Sequence, residues 1–234
     1  MLNRLGLAGL VLAGLAAIPA ATNADTIAGW DFTVNISGGT DGMAASVTAP
    51  GTSASITRNG TVAVSSASYS YDSKGWQSSD TTNNVALNMT VTSGGPWDVT
   101  DLLFSAFRSG TGPSVVDIYY IADASTNIPT LLQSISVGTT SGVNATNYDV
   151  PINLTISSSL SVYFVADSNG LASGASGTLR LNNVSDDNSS SATYFQLAGH
   201  QISSVPTPAE FSAGMVGLLL VGAGAMARRR RIAQ

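Results

Sequence analysis

Residues 25–204 predict an all-β domain, an antiparallel β-sandwich of the jelly-roll kind, on three observations. Apolar and polar residues alternate at period two. Clusters of Gly, Pro, Asn and Ser recur between the alternating runs. No window of helical length outside the two chain ends carries the 3.6-residue period.

The first strand follows from Ala28, Trp30, Phe32, Val34 and Ile36, which share one face of an extended chain. Val85, Leu87, Met89 and Val91 alternate with Ala86, Asn88, Thr90 and Thr92 and make a half-buried strand. Leu102 to Phe107, Val115 to Ile121 and Leu160 to Ala166 carry apolar residues on both faces, the mark of more central strands. Tyr148, Val150, Ile152, Leu154 and Ile156 alternate with polar partners and Pro151; a proline cannot donate to a ladder, so that strand is an edge. Leu131 to Val137, Gly177 to Val184 and Thr193 to Ile202 complete a set of roughly nine to twelve strands. The turns between them are written in Ser93-Gly94-Gly95-Pro96, Ser109-Gly110-Thr111-Gly112-Pro113, Asp167-Ser168-Asn169-Gly170 and Ser173-Gly174-Ala175-Ser176.

Composition narrows the chemistry. The 234 residues include 14 Asp+Glu, 9 Lys+Arg, one His and no Cys, and only 10% are charged. Without cysteine there is no disulfide framework, thiolate zinc site or thiol nucleophile. Imidazole chemistry rests on His200 alone, and the acidic balance disfavours nucleic acid as a partner. Neither a Gly-x-Ser-x-Gly elbow nor a His-Glu-x-x-His motif occurs. Asp117, Asp123, Asp149 and Asp167 are the aspartates from which a glycosidase pair would be drawn, but nothing in the spacing pairs any two of them. No catalytic residue is assigned and no enzyme is expected. No cofactor or metal site is expected either; Asp186-Asp187-Asn188 and Gly39-Thr40-Asp41-Gly42 are oxygen-rich loops that leave a structural Ca2+ as a minor alternative.

Trp76, before Gln77 and near Asp80, and Trp97, before Asp98, lie in turn-rich segments. Two readings of each stay open. An exposed indole flanked by Asp, Asn or Gln stacks a pyranose ring and bonds its hydroxyls. A buried one plugs the end of the sandwich. Trp30, in a clean alternating strand, belongs to the core.

The ends follow other rules. Residues 1–24 read as a signal peptide: Arg4 gives a positive start, Leu5 to Ile18 an uncharged stretch, Pro19 a break, and cleavage falls after Ala24. Phe211 to Ala227 is uncharged and about 25 Å long as a helix, close to the hydrocarbon core of about 30 Å. Arg228, Arg229, Arg230 and Arg231 follow it and act as a basic membrane stop on the cytoplasmic side. Residues 25–204 are thereby placed outside the membrane. The sequence between the two ends holds thirteen aspartates against Arg58, Lys74, Arg108 and Arg180.

Pro206-Thr207-Pro208, the apolar run and the arginine block, in that order, resemble a PEP-CTERM sorting domain, here residues 205–234 with a transmembrane helix over 211–227. The resemblance implies removal of the tail by an exosortase-type membrane transpeptidase, after signal peptidase has acted at the other end. It also implies delivery to the cell surface or extracellular matrix. Thr207 stands where that motif carries Glu. The middle is similar to an exported β-sandwich found with such tails, through Ala28-Gly29-Trp30-Asp31-Phe32, Gly75-Trp76, Phe107 to Pro113 and Gly177 to Val184. The expected function is structural or adhesive at the surface. The alternative is a carbohydrate-binding module that recognises exopolysaccharide through Trp76 and Trp97.

Overall fold

A computed structural model describes residues 24–32, 42–65, 70–123, 128–139, 145–184 and 195–202. Nearly all of the signal peptide and the whole sorting segment, with Pro206, Thr207, Pro208 and the four arginines, lie outside the described residues. Among the described residues no helix is long and apolar enough to cross a membrane.

Two antiparallel sheets face each other. The larger has eight strands, in the order β3 (Val47–Thr48), β1 (Asp25–Trp30), β14 (Phe195–Gln201), β8 (Trp97–Arg108), β13 (Thr178–Asn182), β6 (Tyr71–Lys74), β5 (Ala63–Val64), with β11 (Thr146–Ile156) also on β8. The smaller runs β10 (Thr130–Ser136), β9 (Val115–Ala122), β12 (Ser159–Ala166), β7 (Val85–Val91), β4 (Thr52–Arg58), β2 (Gly42–Ala44). The predicted all-β sandwich is thus present, and the segments with apolar residues on both faces (β8, β9, β12) are interior strands.

The twelve residues of β8 organise the larger sheet. β11 lies along one edge, while β14 and β13 lie end to end along the other. Pro151 sits on β11, which pairs with β8 alone among the described strands, as a strand with a missing donor requires. Where the β14 and β13 branches part, Asn183 bridges them. Its Oδ1 accepts from Phe32 N at 3.1 Å, its Nδ2 donates to Asp31 Oδ1 at 3.1 Å, and its carbonyl accepts from Ser105 Oγ at 2.7 Å.

The alternation translates directly into burial. Val85, Leu87 and Met89 on β7, Leu160, Val162 and Phe164 on β12, and Leu102, Phe104 and Ala106 on β8 all point into the space between the sheets. Phe195 on β14 is the hub of an aromatic cluster, with ring centroids 5.7 Å from Trp30, Phe32 and Phe104 and 6.2 Å from Phe164. Burying each such ring contributes about 1.5–3 kcal/mol, and the edge-on Trp30–Phe195 and Phe104–Phe164 contacts add ring-quadrupole attraction.

Fourteen strands are described, more than the alternation predicted. The additions include β4 and β6, whose Ser- and Thr-rich stretches carry too few apolar residues to register as strands, and two- or three-residue bridges such as β3 and β5. β1 ends at Trp30, short of the predicted run to Ile36, and residues 33–41 lie outside the described residues.

One connection is held by a carboxylate. Asp123, at φ 50°, accepts from the backbone N–H groups of Ser157, Ser158 and Ser159 at 2.6–3.1 Å and from the Ser158 hydroxyl at 3.0 Å. Partial burial pushes its pKa up, but these donors together outweigh burial and hold it below the ordinary value. The stabilisation is therefore present above the unfolded-state pKa and lost as pH falls through the lowered folded-state one. Asp123→Asn keeps a side chain that tolerates positive φ. It should cost about 1 kcal/mol at neutral pH after allowance for solvent screening. In urea titrations the gap from wild type should close in acid; a gap independent of pH would contradict the charge argument.

Candidate functional site

Of the two readings open for each tryptophan, burial matches the plug and not the exposed platform. Trp76 is 0% exposed and its Nε1 donates to Ser73 O at 2.9 Å. Gly75, at φ +92°, makes the turn that carries this indole inward; a Cβ there would lie 2.2 Å from Thr61 O. Trp97 is 5% exposed and belongs to the same core. Both are plugs, because a large apolar ring at the end of a sandwich seals the layer between the sheets.

The aromatics on the outer surface of the smaller sheet are half-buried tyrosines. On β9 the chain reads Ile118, Tyr119, Tyr120, with Ile118 in the core and Tyr120 packed against it, so Tyr119 points away from the other sheet. On β12, Val162 and Phe164 are buried and Tyr163 between them points outward. Tyr119 and Tyr163 are direct cross-strand partners, which sets their Cβ atoms about 4.5–5.5 Å apart on one surface. Leu131, 51% exposed, is the partner of Tyr119 on the other side.

Polar groups flank the pair. Asn88 accepts from Ser161 Oγ at 2.9 Å through Oδ1 and donates to Thr57 Oγ1 at 3.5 Å through Nδ2. Those contacts fix its amide and use two of its four hydrogen-bonding positions. On the opposite flank Asp117, 8% exposed, accepts from Ser134 Oγ at 2.5 Å and from the Tyr119 hydroxyl at 3.4 Å. Partial burial and, after it, the neighbouring Asp117 carboxylate push the Tyr119 hydroxyl pKa up, so it stays a neutral donor. Two ring faces bordered by a fixed amide, a carboxylate and serine hydroxyls are the groups that stack a sugar and bond its hydroxyls.

A second polar region lies on the outer surface of the larger sheet. His200 Nε2 is 3.5 Å from Asp98 Oδ2, and Asp98 Oδ1 accepts from Thr155 Oγ1 at 2.6 Å. His200 separates two open grooves, one of about 490 Å3 edged by Asp25, Val47, Trp97 and Gln201, the other of about 260 Å3 edged by Thr100, Asn153 and Thr155. Nearby, Asp149 faces Asp101; its pKa is raised by partial burial and then by the Asp101 charge and hydrogen bond. Asp167 caps its own turn by accepting from Asn169 N at 2.7 Å, and Asp123 holds the 157–159 turn. Of the four aspartates weighed for hydrolysis, Asp117 and Asp167 both lie close enough to raise the Tyr119 hydroxyl pKa, while Asp123 and Asp149 sit in separate contacts. Among the described residues no three potential metal-ligating side chains gather. Of the two oxygen-rich loops, Asp41, Asp186, Asp187 and Asn188 lie outside the described residues.

No protein-family pattern and no curated protein matches the sequence. Solved structures that resemble the chain include a variant of a family 29 carbohydrate-binding module at 12% identity and TM-score 0.39, covering 80% of this chain and 99% of that one. Another variant of that module, complexed with cellulohexaose, gives 11% identity and TM-score 0.40 over 76% and 91%. The likeness is too loose to decide the fold or the function of this chain.

Proposed function

We propose that this protein is an exported, non-catalytic carbohydrate-binding β-sandwich of jelly-roll type, acting at the cell surface or in the extracellular matrix. The carrying observation is the outward Tyr119–Tyr163 pair between Asn88 and Asp117. It supplies two adjacent stacking surfaces and fixed hydrogen-bonding groups on a rigid sheet. An adhesive or structural role follows from glycan contact at that face.

The chain ends fit this reading. β1 begins at Asp25 and β14 ends at Gln201, so cleavage after Ala24 and removal of residues 205–234 would each leave every described strand whole. β1 and β14 are antiparallel neighbours with Asp25 opposite Gly199, so the start of one and the end of the other leave the same end of the sheet. A membrane tail there tethers the domain from one pole. Signal peptidase and an exosortase-type transpeptidase are the processing partners of this reading, and exopolysaccharide is its ligand.

Affinity electrophoresis of the exported protein tests it. Migration should be retarded in gels containing at least one linear polysaccharide; unaltered migration across a panel of such gels would defeat the proposal.

A further inference from the structure

We infer that the tyrosine face takes a linear, uncharged polysaccharide, laid across the strands and held by sugars in the interior of its chain. This rests on the carbohydrate-binding reading and adds the ligand's class and direction.

Direction comes from register. Leu131 on β10 pairs with Tyr119, Tyr119 with Tyr163, Tyr163 with Ala86 on β7, Ala86 with Thr57 on β4, and Thr57 with Gly42 on β2. These residues form one row perpendicular to the strands, spanning all six strands of the smaller sheet. At about 4.8 Å per strand the row is about 24 Å long, enough for several sugars in a line. Its beginning and end lie on the two edge strands. Among the described strands the row runs from edge to edge, with Ala86 recessed at 2% exposed, and so lets a polymer enter and leave, whereas recognition of a chain end needs a wall around the last ring. The flanking row of Ile121, Ser161, Asn88 and Ser55 runs parallel to it, so its polar groups lie alongside the chain.

Class comes from charge. Of the four basic side chains in the domain, Arg58 points into the sandwich, donating to Ser73 Oγ and Asp72 O with its guanidinium 3.6 Å from the Tyr71 ring centroid. Lys74, Arg108 and Arg180 are on the larger sheet, Arg180 with its Nε 3.4 Å from Asp72 and Arg108 donating to Val137 O. The outward positions of the smaller sheet around the row include Ser55, Ser134, Ser161 and Asn88 beside the apolar Ile121 and Val165, and the charged groups nearest Tyr119 are Asp117 and Asp167. A uronate or sulfate would meet these carboxylates and, among the described residues, no cation, an uncompensated repulsion. Neutral hydroxyls meet donors and acceptors.

The test compares linear neutral probes (β-glucan, mannan and xylan) with anionic alginate and polygalacturonate, using the exported protein and its Tyr163→Ala variant. At least one neutral probe should bind ten times or more tighter than either anionic one, with the binding lost in Tyr163→Ala. Longer oligosaccharides should compete and free monosaccharide should not. Thr57→Lys, a surface change beside the tyrosines, should raise alginate binding. Tyr163-dependent binding that favours the anionic probes would overturn the charge inference and leave carbohydrate binding standing. Competition by monosaccharide would overturn the mid-chain placement. Failure of every probe, or binding unaffected by Tyr163→Ala, would remove both this inference and the reading beneath it.

Discussion

Phe195→Ala should cost about 3–5 kcal/mol of unfolding free energy, the range for deleting a fully buried aromatic ring. Phe195 is 0% exposed and touches four other rings drawn from both sheets, so the cavity would open where neither sheet can collapse without disturbing the other. A domain of this size has about 5–15 kcal/mol in total, and the variant should melt far below wild type or fail to accumulate. The neighbouring Gln196, whose amide oxygen Oε1 accepts from Thr26 Oγ1 at 2.8 Å on the outer surface, is the control. Gln196→Ala should cost about 1 kcal/mol or less. Equal effects of the two substitutions in urea titrations would mean that β14 does not lie in the interior of the larger sheet.

The second large effect falls on binding. Tyr119→Ala and Tyr163→Ala should each weaken polysaccharide binding tenfold or more, about 1.4 kcal/mol, and the double variant should show no retardation in affinity gels. Stability should change little, because neither ring belongs to the interior cluster. Tyr163→Phe keeps the stacking surface and should retain most of the affinity. Tyr119→Phe also releases Asp117 from the hydroxyl contact and should lose more. Trp76→Phe and Trp97→Phe act on folding and leave binding intact once the domain is folded. A binding loss confined to the tryptophan variants would restore the reading that burial has set aside.

Fold class was legible because burial in a two-layer sandwich imposes period two on every strand that has one wet surface. β11 could be read residue by residue, and β7 but for Ala86, which is 2% exposed on its outer surface, and Pro151 placed its strand at an edge through a missing N–H. β4 and β6 were not legible, since Ser, Thr and Asp occupy positions that pairing and an interior arginine make buried, such as Asp72 and Ser73. Whether the two tryptophans were platforms or plugs stayed open for a related reason. Turn-rich segments are compatible with either, and nothing local to residues 75–76 announces that Gly75 turns its neighbour inward. The signal for the tyrosines was present in Ile118-Tyr119-Tyr120 and Val162-Tyr163-Phe164. Apolar residues on both faces mark β9 and β12 as interior strands, yet a sheet in a two-layer sandwich still keeps one surface in water. An aromatic ring out of phase with the core then lies outside the interior cluster, half-buried, and can offer a face to a ligand.

Hydroxyl-radical footprinting of the exported protein, with and without a saturating polysaccharide that retards it in gels, tests the central claim most directly. The account predicts protection of Tyr119, Tyr163 and Leu131 with unchanged labelling at His200 and Gln201. Protection at His200 and Gln201, with Tyr119 and Tyr163 labelled as in the free protein, would contradict it.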